Sequence, residues 1–96
     1  MNTSRAARIE AVLTEHFAPV TLAVADDSAR HAGHAGAAPG GQTHYSVTLV
    51  SAAFAGQSRV ARARAVHAAL AAEFADGLHA LALTLHTPQE AAALSG

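Results

Sequence analysis

The sequence predicts an α+β fold of two layers, a three-stranded mixed sheet with helices on one face, in the order αββααβα. Three observations carry this. Three short segments alternate apolar and polar residues with the period of a strand. Longer segments between and around them repeat their apolar residues with the period of a helix. The last two strands are joined through a helix, which suits a parallel, right-handed crossover, whereas the first two are joined without one. Strands with helices segregated to one face make a two-layer sandwich.

Taken in order, the first helix is capped by Thr3 or Ser4, and Ile9, Val12, Leu13, His16 and Phe17 share one face. Pro19 ends it, because the residue before a proline is pushed out of helical geometry. Val20, Leu22 and Val24 then alternate with Thr21, Ala23 and Ala25 as a first strand. From Asp26 to Gln42 the periodicity vanishes; this stretch holds four of the seven glycines and no large apolar residue, and reads as a long glycine- and histidine-rich loop. Tyr45, Val47 and Leu49 alternate with His44, Ser46 and Thr48 in a second strand. A turn at Phe54-Ala55-Gly56, with room for an extra helical turn, leads to Ser58 as the cap of a helix whose broad apolar face holds Val60, Ala63, Val66, His67, Leu70 and Phe74. Asp76-Gly77 closes that helix. His79, Leu81, Leu83 and Leu85 form one side of a third strand. Thr87-Pro88-Gln89-Glu90 opens a short last helix as a capping box with proline at the first helical position.

Composition bounds what such a fold can do. Ninety-six residues make a single domain, residues 1–96. The hydrophobic share is 51%, yet 27 of those 49 residues are alanine, so 22 larger apolar side chains must build the core. That suits a thin layered fold without a deep substrate cavity. The formal net charge of −1 gives no global attraction to nucleic acid or to an anionic membrane. Absence of cysteine excludes a disulfide framework, a zinc finger and a thiol nucleophile from this chain. The N-terminal residues read as the start of an amphipathic helix rather than a signal core, and no apolar run approaches the roughly 18 residues that span a bilayer. The expectation is a soluble cytoplasmic protein with no membrane partner.

Seven histidines are the unusual feature. The topology predicts that His79, opening the third strand, lies at the same end of the sheet as His44 and the loop carrying His31 and His34. His86 falls at the far end, and His16 and His67 belong to helix faces as packed core or edge histidines. Imidazoles from a rigid strand and from a loop can share a metal. The alternative is a set of ordinary surface histidines in a histidine-rich chain.

At this point the residues match a known pattern. Asp27-Ser28, a His/Gly loop, Thr43-His44-Tyr45, Val50-Ser51 and Phe54-Ala55-Gly56 resemble the BolA-like family. So do Arg62-Ala63-Arg64-Ala65-Val66-His67-Ala68-Ala69-Leu70 and Leu78-His79-Ala80-Leu81-Ala82-Leu83 with Thr87-Pro88. The similarity runs colinearly through almost the whole chain. It implies a fold related to class II KH domains, and a non-enzymatic protein that joins a monothiol glutaredoxin as a heterodimer. It further implies a [2Fe–2S] cluster shared with that glutaredoxin and with glutathione, in cluster trafficking or iron-status regulation. The isolated chain would hold no cluster tightly and would be a monomer or weak homodimer. In the family the histidine opening strand three is a cluster ligand, here His79. The second ligand lies in the hairpin loop: His34 by its spacing to Thr43-His44, with His31 as the fallback. Replacing cluster thiolates by imidazole raises the potential and makes ligation sensitive to protonation near pH 6.5, the ordinary imidazole value. Two departures stand out. Ala63 replaces a histidine common in relatives, which puts a minor basic contact in doubt. Ala91 replaces a tryptophan, which predicts a loosely held last helix.

Two other functions compete. Transcriptional regulation through DNA is also attributed to the family, with Arg59, Arg62 and Arg64 as the candidate contacts. Arg62 and Arg64 fall on opposite flanks of the helix, so they make no continuous basic stripe, and solvated helix flanks are the ordinary reading. With a net charge of −1, any such binding should be weak and should weaken further with salt. Acid–base catalysis would call on Asp26 and Asp27 beside the loop. Neighbouring residues of an extended strand point to opposite faces and cannot act as a pair.

Overall fold

A computed structural model describes residues 4–27 and 44–95 of the chain. The described elements are α1 (Arg5–Phe17), β1 (Thr21–Asp26), β2 (His44–Val50), a 3₁₀ turn (Ala52–Phe54), α2 (Arg59–Ala69), α3 (Ala71–Ala75), β3 (Ala80–His86) and α4 (Pro88–Ser95). The sheet has the order β1-β2-β3. β1 runs antiparallel to β2, from Thr21 opposite Val50 to Asp26 opposite Tyr45. β3 runs parallel to β2, from His44 opposite Ala80 to Val50 opposite His86. This is the mixed three-stranded sheet with helices that the sequence predicts.

Alternation decides which face is covered. Tyr45, Val47 and Leu49 of β2 join Ile9 and Leu13 of α1, Val66 of α2, and Phe54, Leu70 and Leu78 in one buried cluster. Leu22 and Val24 of β1 and Leu81, Leu83 and Leu85 of β3 pack against it from the same side of the sheet. On the other side Thr21, Ala23, Ala25, Ala80, Ala82 and Thr84 are exposed. Burying one leucine-sized side chain stabilises by about 1.5–3 kcal/mol, so this single apolar layer carries the fold.

Three helix starts follow the sequence. The Oγ of Ser4 accepts from the Ala7 N–H, and that of Ser58 from the Ala61 N–H, both at 3.1 Å. At α4 the Thr87 N–H donates to Glu90 Oε1 (2.9 Å) and the Glu90 N–H to Thr87 Oγ1 (3.2 Å), the reciprocal capping box. α1 ends at Ala18, which enters the left-handed region (φ 44°) while its N–H still reaches the Thr14 carbonyl at 3.0 Å. The right-handed path is closed to it by Pro19.

The extra turn allowed for after β2 is present as a 3₁₀ turn; other expectations are corrected. The long helix after Ser58 breaks at Leu70 into α2 and α3, at a residue with φ −100° and ψ 15°. Val60, placed on the apolar face by periodicity, is 58% exposed, because this alanine-rich helix presents too broad an apolar surface for one face to be unambiguous. Of the core and edge placements open to them, His16 and His67 both take exposed positions outside the core. His67 lies flat against Phe74 at a ring separation of 5.0 Å, an edge position.

Candidate functional site

The end of the sheet where β2 and β3 begin is built from α1 and α3. Arg5 of α1 is buried and its Nη1 donates to Glu73 Oε1 at 2.8 Å, while Nη2 donates to the Asp76 carbonyl at 3.1 Å. Arg8, one turn on, donates from Nε to Glu73 Oε2 at 2.9 Å and from Nη2 to Glu73 Oε1 at 3.0 Å. Two guanidiniums thus satisfy one buried carboxylate, and they hold it below the usual carboxylate range, the hydrogen bond from Arg8 contributing most. The clamp fixes the turn after α3. Gly77 takes φ +117°, which side-chain-bearing residues rarely adopt, and a Cβ there would lie 3.4 Å from Arg5 Nη2. The Leu78 N–H then returns to the Glu73 carbonyl at 2.9 Å and its side chain enters the core. His79 is the next residue, exposed, immediately before β3.

Across the β2–β3 pair, His44 lies beside Ala80, and the His44 and His79 rings meet edge to face with centroids 6.0 Å apart. The expected proximity of these two imidazoles is therefore present. On the β1 side the Asp27 N–H donates to the His44 carbonyl at 2.7 Å, and Ser46 Oγ donates to the Asp27 carboxylate. Asp26, the last residue of β1, is exposed, and the Asp27 carboxylate accepts from Ser46. His31 and His34 lie outside the described residues. Among the described residues no group of three or more His, Asp or Glu side chains is placed to hold a metal ion. The rim offers two imidazoles, a donor type suited to iron and other transition metals.

The opposite end of the sheet is organised differently. Arg62 is only 8% exposed, which corrects its reading as a solvated flank and as a candidate DNA contact. Its Nη1 and Nη2 donate to the two oxygens of Glu90 at 2.6 and 3.0 Å, Nε donates to the Gln57 carbonyl (3.0 Å) and Nη1 also to the Leu85 carbonyl (3.2 Å). Its guanidinium carbon lies 5.7 Å from the centre of the Phe54 ring. Glu90, held by this cation and by the Thr87 N–H, has its carboxyl lowered to about 2. His86 Nδ1 is 3.7 Å from Glu90 Oε1. The pair pins the first turn of α4, so that helix is less loosely held than the missing tryptophan suggests, although Leu94 near its end is 71% exposed. An open groove of about 810 Å3 runs along this end, lined by Arg59, Ala63, Leu83 and Leu85 among others. Arg59 and Arg64 remain exposed.

Sequence reasoning missed both ion-pair clusters. The capping box marked Glu90 as a cap, but nothing local indicated that Arg62, 28 residues away, would take its carboxylate. Arg5 and Glu73, 68 residues apart, gave no signal beyond being charges beside apolar positions.

Among the described residues no helix is long and apolar enough to cross a membrane. Comparison with known proteins gives a consistent picture. Residues 13–90 match the family model described as BolA-like protein. The chain is 42% identical over 82 residues to the DNA-binding transcriptional regulator BolA of Vibrio cholerae, covering 85% of this chain and 74% of that protein. It is 43% identical over 91 residues to SufE-like protein 1 of Arabidopsis thaliana, covering 91% of this chain but only 24% of the length of that relative. The solved BolA domain of SufE1 from Arabidopsis thaliana superposes with a TM-score of 0.83 at 41% identity, over 94% of this chain and 99% of that one. These relatives are named as BolA proteins, a regulator or a SufE-like protein, and their likeness extends through both ends of the sheet: this chain belongs to the BolA-like protein family.

Proposed function

We propose that this chain is a non-enzymatic partner of a monothiol glutaredoxin that co-ligates a bridging [2Fe–2S] cluster through His79 and one loop histidine, His34 or in its place His31. Its role is then cluster trafficking or iron-status regulation in the cytoplasm. The observation that carries this reading is the exposed His79 ring, held by the Gly77 turn at the rim where the 28–43 segment joins β2. The chain supplies imidazole and no thiolate, so it fits a site completed by sulfur from a partner cysteine and from glutathione. What the cluster supplies when bound is a redox-active, labile iron centre. What the chain supplies is His79 on a fixed backbone turn, a clamp beneath it, and a neighbouring imidazole.

The test is to mix the protein with a cluster-loaded monothiol glutaredoxin and glutathione and follow the visible spectrum. Exchange of sulfur for histidine changes the charge-transfer bands. His79→Ala should abolish the change, His34→Ala should weaken it, and His86→Ala should leave it intact. Equal loss with His86→Ala would defeat the reading.

A second reading, DNA binding, is favoured by the name of the Vibrio cholerae relative. Arg62 cannot serve it without abandoning Glu90, which leaves Arg59 and Arg64 as the available cations of the original three. Loss of binding in Arg59→Ala/Arg64→Ala, with a shallow salt dependence in the parent protein, would support it. Absence of affinity for duplex DNA at low ionic strength would remove it.

A further inference from the structure

The His44–His79 pair has a consequence of its own. Two imidazoles bound to one tetrahedral cation at about 2.0–2.1 Å from each nitrogen hold their ring centres about 5 Å apart. The observed separation is 6.0 Å, and the rings are nearly perpendicular at 83°. Closing the difference takes about 1 Å of side-chain movement, within reach of an exposed histidine whose rotamers interconvert freely. The two backbones are fixed from opposite sides. His44 is held in the central strand by the Asp27 N–H, and His79 is fixed by the buried Leu78 before it and by the ladder residue Ala80 after it. An imidazole hydrogen-bonded through one nitrogen still offers the other, the usual state of a histidine ligand. Among the described residues no group of three or more His, Asp or Glu side chains is placed together to hold a metal ion, so water must complete the coordination.

We propose that the free chain, without glutaredoxin or glutathione, binds one divalent first-row transition cation through His44 and His79. This goes beyond the cluster reading, which assigns no role to His44 and concerns a complex of two proteins. With two protein ligands the site is weak and exchangeable, and it would compete with cluster ligation for the same His79 ring.

The experiment uses the full chain and zinc chloride, followed by isothermal titration and by the long-range proton–nitrogen spectra of the imidazoles. The expected result is one zinc per chain, with the ring nitrogens of His44 and His79 shifting along one binding curve. His79→Ala and the similarly sized His44→Gln should each weaken binding at least tenfold, while His86→Ala should not. Unchanged binding in His44→Gln, or loss of binding on replacing His31 and His34 together, would overturn the proposal. The circular dichroism of each variant shows whether it is folded. Failure here is separable from failure of the cluster reading, because no glutaredoxin, glutathione or iron is present.

Discussion

His79 and His86 stand at the two ends of the same strand, and their surroundings differ. His86 faces a closed arrangement: Glu90 is already claimed by Arg62 and by the Thr87 N–H, and Arg62 is claimed by Glu90 and two carbonyls. His79 is presented outward from a turn whose own charges are consumed beneath it, Arg5 and Arg8 by Glu73 and Asp76. One end spends its polar groups on holding α4 to α2. The other spends them on presenting an imidazole. A buried polar group that is fully bonded is structural, whereas an exposed ligand-type side chain on a rigid support is available for chemistry.

This contrast can be broken by mutation. The largest effect is expected at Phe54, fully buried, packed at 5.2 Å against Phe17 and beneath Arg62. Phe54→Ala should cost about 4 kcal/mol of stability in denaturant melts, a large share of a small domain's total. Next comes the clamp under His79. Glu73→Gln leaves the buried Arg5 without its main counter-charge and should cost about 3 kcal/mol, measured the same way. A loss below about 0.5 kcal/mol would mean that the clamp does not hold the turn.

A smaller and local effect is expected in acid. The Glu90 carboxyl is lowered to about 2 by Arg62, so the stability it gives is complete above the ordinary carboxylate value of 4.5 and is lost as pH falls from there towards 2. Amide exchange in α4 should therefore accelerate across that window before exchange in the sheet does. Glu90→Gln should flatten that dependence in α4 without abolishing the acid response elsewhere, since Glu73 is lowered as well. The smallest effect is expected at His79 itself. His79→Ala should change stability by less than about 0.5 kcal/mol, because the ring is exposed. A loss near that of Phe54→Ala would make His79 structural and erase the difference between the two ends.

Much of the fold was legible because it rests on local periodicity. The alternation in β2 gave the buried Tyr45, Val47 and Leu49, the helix between β2 and β3 gave the parallel pair, and Thr87 with Glu90 gave the start of α4. The neighbouring placement of His44 and His79 followed from the crossover alone. The break at Leu70 was not legible, since neither glycine nor proline marks it and alanine on both sides favours continuation. The burial of Arg62 was missed because, beside Arg59 and Arg64 on an alanine-rich helix, it looks solvated until its tertiary partner Glu90 is known. His67 takes the edge placement of the two its helix face allowed, stacked against Phe74.

The central claim is that the His79 end, and not the His86 end, meets iron. Pulsed electron paramagnetic resonance of the reduced complex with a monothiol glutaredoxin tests it, using chain labelled with nitrogen-15 in histidine. Nitrogen couplings of directly bound imidazole should be present in the parent protein and in His86→Ala, and one set should vanish in His79→Ala. Both sets surviving in His79→Ala, or either set disappearing in His86→Ala, would contradict the account.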